Sequence, residues 1–285
     1  MIDRPLKKTV YTPGSCLRQP GLLMRGMLAD LVASRGLAWR LFVRNINAQY
    51  RQSMLGYVWA FLPPLFTMAI WIFLNSQEII NVGDSGMPYP VYVLIGTVLW
   101  QTFVDALNSP LKLVIESKDM LVKINFPREA LILAGMGEVL FNFVIRIVLL
   151  VGLFIWFKML PSPSIFFAVW GVVVLILLGL MVGILLTPLG ILYSDVSRSI
   201  VIITQLWFFL TPVVYPMPES GVAEIFASLN PVTPVLVTTR EWMSIGVASQ
   251  LGGFWLISCL TMVFLFFGWL LYRIAMPHLI ARISS

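Results

Sequence analysis

Charge is scarce in this chain. Only 11% of its 285 residues are Asp, Glu, Lys or Arg, while 59% are hydrophobic; a soluble domain carries about 25% charge. A single histidine, His278, argues against a histidine-based metal site or catalytic triad within one chain. The two cysteines suggest no disulfide, since Cys16 lies in the N-terminal tail and Cys259 inside a long apolar run. No Gly-x-x-x-x-Gly-Lys-Ser/Thr phosphate loop, His-Glu-x-x-His, Gly-x-Ser-x-Gly or Cys-x-x-Cys occurs. Nucleotide binding of the P-loop kind is therefore not expected here, and enzymatic chemistry is not either. The first 27 residues carry Pro5, Pro13, Gly14, Pro20 and Gly21 and lack the apolar segment of a signal peptide, so an irregular cytoplasmic tail is expected there.

Long apolar runs are what the chain has instead. A membrane-spanning helix needs about 20 mostly apolar residues at 1.5 Å each, and six windows qualify: 54–75, 89–108, 130–157, 164–192, 199–215 and 251–274. Runs of this length satisfy their backbones in lipid as helices. The expected fold is an all-α membrane protein of six transmembrane helices. The formal charge of +6 belongs to topology and not to nucleic acid. Nine Lys/Arg precede the first window, Lys112, Lys118, Lys123 and Arg128 follow the second, and Arg198, Arg273 and Arg282 complete the same side; the alternate loops hold Lys158 and Arg240. Basic residues stay on the untranslocated side, which places both termini in the cytoplasm.

Residues 28–53 have two faces. Trp39, Phe42, Val43, Ile46 and Tyr50 recur at helical spacing, and Arg40, Arg44, Asn47 and Arg51 lie about 100° away. That pattern predicts an amphipathic interfacial helix, with aromatics in the acyl boundary and arginines near lipid phosphates. Pro63-Pro64, Pro188 and Pro212 break the spans, and Gly179 and Gly183 form a GxxxG suited to close helix packing. Between the last two windows, 216–250 contains two short apolar stretches joined at Asn230-Pro231. Each half is too short to cross, so a periplasmic re-entrant hairpin is expected, tolerated only where buried in protein or lining a watery cavity.

The 109–128 segment interleaves Leu111, Val114 and Leu121 with Lys112, Lys118 and Lys123, and closes with Phe126, Pro127 and Arg128. A short helix with an apolar cytosolic face suits docking onto a partner. Deep in the third window sit Glu138 and Arg146, about 12 Å apart along a helix axis. Charges at that depth normally face protein or water and have partners, so Arg146 points to another helix or to an anionic headgroup.

Several motifs carry a resemblance. Ala48 to Ala60 reads AQYRQSMLGYVWA, residues 123–129 read KINFPRE, Tyr193-Ser194-Asp195-Val196 precedes Gln205 to Pro216 (QLWFFLTPVVYP), and Asn230-Pro231 follows. Together, from about residue 28 to 275, they resemble the permeases of type-2 ABC exporters, above all those of O-antigen, capsule and teichoic acid. The resemblance implies a homodimer in the bacterial inner membrane with two copies of a separate cytosolic ATPase, which binds the ATP and Mg2+; no cofactor is implied for this chain. It implies an undecaprenyl-diphosphate-linked glycan as substrate, and coupling to the ATPase through 109–128, namely Leu111, Val114, Leu121, Lys123, Phe126, Pro127 and Arg128. In the interfacial helix, Trp39, Arg40, Phe42, Arg44 and Arg51 would face the lipid surface. Aromatic faces can stack on the C–H faces of sugars, so Tyr57, Trp59, Phe66, Trp100, Trp207, Phe209 and Tyr215, with Arg146, are the candidates for a substrate path. A drug or small-lipid exporter of the same fold is the alternative. A secondary transporter would show inverted repeats and clustered intramembrane carboxylates, and neither is visible.

Overall fold

The computed structural model describes residues 20–51, 54, 56–78, 86–124, 126–218 and 220–284. Among them are eleven α-helices and no strand: α1 (Pro20–Ala33), α2 (Arg35–Arg51), α3 (Leu62–Ser76), α4 (Tyr89–Glu116), α5 (Lys118–Lys123), α6 (Glu129–Trp156), α7 (Ile165–Leu192), α8 (Ser194–Leu210), α9 (Val222–Leu229), α10 (Val232–Ser244) and α11 (Leu251–Ser284). Five helical stretches are long and apolar enough to cross a membrane: Val58–Ser76, α4, α6, α7 and α11 up to Ile280; a sixth arises if the bent pair α9–α10 is one span. The chain is a multi-pass membrane protein.

Four details correct the reading of the sequence. Helix begins at Pro20, so the end of the stretch expected to be irregular is helical; residues 1–19, with Cys16, lie outside the described residues. Pro63 and Pro64 do not kink a span, because they occupy the first turn of α3 after a 3-10 turn, Gly56–Ala60, where a missing N–H costs nothing. The fifth expected span stops at Leu210, and its 17 residues cover only about 26 Å. Finally, α4 does not end at residue 108. Its 28 residues make a rod of about 42 Å, longer than the roughly 30 Å hydrocarbon layer, and the expected connector starts as its last two turns.

α4 is the central element. Buried within the chain is 78% of its apolar window, against 6% for Val58–Ser76. It packs most extensively on α7, then on α6, around Val98, Leu99, Phe103, Leu107, Leu175, Leu178 and Leu180. The GxxxG explains how α7 comes so close. A Cβ on Gly179 would sit 2.6 Å from Phe103 O, and one on Gly183 would strike Leu107 O. Helix association in lipid rests on such close approach.

α1 and α2 lie against the first half of α6 and the last turns of α11. Ala38, Leu41 and Ile46 are buried, and the Phe42 ring rests on Gly137 and edge-on to Phe141 of α6. Two polar clamps fix the pair: Asn45 Nδ2 donates to Glu138 Oε1 at 2.7 Å, and Arg273 of α11 bridges Asp30 (2.6 Å) and Glu129 (3.1 Å). The apolar face expected of α2 is thus divided. Phe42 and Ile46 pack on protein, whereas Trp39 and Val43 remain exposed, with Arg40, Arg44 and Arg51 beside them.

Replacing Gly183 with Val is expected to push α4 and α7 apart and cost about 1–3 kcal/mol or more, the usual penalty of overpacking. Lower membrane levels and a lower melting temperature in detergent would report it; an unchanged melting temperature would show that the helices separate freely.

Candidate translocation path and coupling surface

After Leu210 the backbone unwinds. Pro212 cannot donate a hydrogen bond, and the carbonyls at the end of α8 lose their helical partners. Thr211, Val213 and Val214 are buried, so these groups need donors from the protein, and side chains replace the helix. Thr211 Oγ1 donates to Trp207 O (2.8 Å), Tyr215 OH to Phe209 O (2.7 Å) and Asn230 Nδ2 to Leu210 O (3.4 Å). Arg240 Nη1 donates to both Pro212 O (3.0 Å) and Val213 O (3.1 Å). Tyr89 and Tyr92 of α4 donate to Val214 O (3.1 Å) and Tyr215 O (2.8 Å). Every carbonyl from Phe209 to Tyr215 except that of Thr211 thereby has a side-chain donor.

Two residues organise this knot. The Asn230 amide also donates to Thr211 Oγ1 (2.7 Å), and its oxygen accepts from Trp207 Nε1 and Val232 N, both at 3.0 Å. Arg240 is buried, with its guanidinium 3.8 Å above the centre of the Tyr92 ring. Reading Arg240 as a loop charge missed this; the available signal was its position inside the apolar run of α10. Asn230-Pro231 is also where α9 and α10 meet at 85°. Gly96 of α4 faces the Val213 carbonyl so closely that a Cβ would collide with it.

The aromatic candidates separate by burial. Trp100 and Trp207 belong to a packed cluster with Phe103 and Phe208, at centroid distances of 5.3–6.3 Å. Trp100 is buried, and the Trp207 indole, on a partly exposed side chain, is held by Asn230; both are committed to packing within the chain. Tyr215 is half-buried, with its hydroxyl committed to Phe209 O. Trp59, Phe66 and Phe209 are more than half exposed. The Tyr57 side chain lies outside the described residues. Arg146 is buried and pairs with Asp105 of α4 at 2.8 Å. Asp105 escaped notice as a single acid in an apolar window.

The cytosolic candidates separate in the same way. Leu111, Val114 and Leu121 are buried; Val114 and Leu121 pack in one cluster with Leu131, Ile184 and Met276 and line the inner side of a neighbouring groove. Because α4 continues to Glu116, its apolar stripe packs inward. Phe126, Pro127 and Arg128 are half-buried and Lys123 is exposed. The exposed apolar groups here are Ile115, Val122 and Ile124. Ile115 and Val122 edge a groove of about 470 Å³, which Lys118, Ser194, Ser197 and Arg198 also line.

No protein-family model matches the chain. It is 26% identical over 218 residues to the O-antigen export system permease protein RfbA of Myxococcus xanthus, covering 74% of this chain and 82% of that one. It is 24% identical over 205 residues to the protein of that name from Klebsiella pneumoniae, covering 70% and 76%. The polysialic acid transport protein KpsM of Escherichia coli matches at 22% over 243 residues, covering 82% and 91%. The chain is a homologue of type-2 ABC exporter permeases.

In this homologue of the permeases, the stretch from Gln205 to Pro216 that carries the resemblance comprises the end of α8 and the unwound segment after it, and Asn230 is the amide that holds the two together. Arg240→Met keeps the apolar stem and removes both donors. Each orphaned carbonyl is expected to cost about 1–3 kcal/mol, read as a lower melting temperature. Trp207→Ala should likewise destabilise by about 3–5 kcal/mol, while alanine at Trp59, Phe66 or Phe209 should leave stability near wild type. Equal losses at all four aromatic positions would erase the distinction between packed and available rings.

Proposed function

We propose that this chain is the membrane permease subunit of an ATP-driven exporter of lipid-linked polysaccharide, working as a homodimer with two copies of a separate cytosolic ATPase. The similarity to relatives named for O-antigen export and polysialic acid transport, over 70–82% of the chain, carries the reading. The substrate is a glycan on an undecaprenyl diphosphate carrier, moved outward across the bacterial inner membrane. ATP and Mg2+ belong to the partner.

The topology that fits has six crossings: Val58–Ser76, α4, α6, α7, α8 with its unwound extension, and α11. α9 and α10 re-enter from the periplasmic side, and both termini are cytoplasmic, as the basic residues ask. The exposed arginines of α2, with Trp39, suit the headgroup layer. Trp59, Phe66 and Phe209 are the aromatic rings free to meet a sugar chain. On the cytosolic side the ATPase would be received by Ile115, Val122 and Ile124 together with Lys118, Lys123 and Arg198, in place of the buried leucines.

Two outcomes test this. The purified chain alone is expected to hydrolyse no ATP and to support hydrolysis once its ATPase subunit is added; robust turnover by the isolated chain would overturn the assignment. Asp at Ile115 and Val122 is expected to weaken ATPase co-purification while membrane levels hold, because these side chains are already exposed. The same change at buried Leu121 should lower the protein level first, since an unpaired buried charge costs several kcal/mol. Undiminished complex yield and export in the Ile115 and Val122 variants would remove these residues from the docking surface.

A further inference from the structure

α4 carries Gln101, Asp105, Asn108 and Lys112 at intervals of four, three and four residues, which places them on one face. α6 answers with Glu138, Asn142 and Arg146 at intervals of four. The two rows meet: Arg146 Nη1 lies 2.8 Å from Asp105 Oδ2, and Lys112 Nζ lies 3.9 Å from Glu138 Oε2. The seam runs about 16 Å along α4, from Gln101 in its apolar stretch to Lys112 near its charged end. It is not sealed. Lys112 is exposed, Gln101 and Asn108 are partly so, and 30% of the Asp105 side chain is accessible.

The seam also has hydrogen-bonding capacity to spare. Arg146 Nη1 and Asp105 Oδ2 are paired with each other, whereas Arg146 Nε and Gln101 Oε1 are buried without a hydrogen-bond partner among the described residues. Lipid tails cannot supply partners, and polar groups at this depth face protein or a water-filled cavity. Three formal positive charges, Lys112, Arg146 and Arg44, balance three negative ones, Asp105, Glu138 and Glu116. A neutral ligand that both donates and accepts hydrogen bonds fits such a surface better than an ion or an acyl chain.

We infer that the α4–α6 seam is a hydrated polar groove that contacts the hydroxyl groups of the transported glycan. The identity of the ligand rests on the exporter reading above; the hydration does not. The test uses the chain in membranes together with its ATPase, with Cys16→Ser and Cys259→Ser as background. Gln101→Cys and Asn108→Cys are exposed to a membrane-impermeant, charged thiol reagent in inside-out vesicles. Val144→Cys and Val148→Cys, on the exposed apolar face of α6, serve as references. The seam cysteines are expected to react many-fold faster than the references. The double variant Gln101→Leu/Asn108→Leu is expected to lose most surface glycan while keeping its membrane level and its ATPase. Reaction no faster than at the α6 references overturns the hydrated groove, whatever the chain transports. Fast labelling combined with unchanged glycan export in the double variant overturns the sugar contact and leaves the exporter reading standing.

Discussion

A backbone carbonyl shut away from water must find its donor within the protein, and the architecture around residues 209–215 follows from that one constraint. Where α8 stops, the peptide dipoles that a helix would have paired are taken over by Thr211, Tyr215, Asn230, Arg240, Tyr89 and Tyr92. These donors come from α4, α10, the α9–α10 bend and the segment itself. The unwound stretch therefore exists only while those elements are in place, and it ties them to one another in return. Burying the Arg240 charge is tolerable for the same reason: two carbonyls and an aromatic face replace its hydration.

The rest of the fold serves to bring those donors together. α4 can reach the unwound segment because Gly96 has no side chain, and α7 can back α4 because Gly179 and Gly183 have none. Small residues at these contacts let whole helices, and not only side chains, set the spacing. α6 joins through charge as well as packing, by way of Asp105 and Arg146, while α1 and α2 are held by Asp30 and Asn45.

Much of this was legible in the sequence, for a physical reason: lipid imposes a length and an apolar composition on each span, so the order of helices can be counted. The bend at Asn230-Pro231 was also readable, since its two flanking stretches are too short to cross. What an amphipathic pattern does not reveal is what covers the apolar face. Leu111, Val114 and Leu121 have the spacing of a docking surface but the chain itself covers nearly all of each side chain, whereas Ile115, Val122 and Ile124 stay exposed. The rotation of α2 was hidden likewise, because Trp39 and Ile46 fall on one side of a helical wheel but only Ile46 is buried. Arg240 was obscured by a topological rule that counts charges without regard to their partners. Asp105 shares a face with Gln101 and Asn108 in the sequence, but only the placement of α6 shows that the row has a counterpart.

The length of α4 has a mechanical meaning. At one end its tyrosines hold the unwound backbone of residues 214 and 215, and at the other it passes through Ser117 into α5. One helix, interrupted only by the missing amide of Pro110, thus joins the broken end of α8 to the edge of the groove at Ile115. No hinge loop lies between them. A shift of this rod along its axis at one end has to appear at the other, so the two membrane surfaces of this subunit are coupled by a strut.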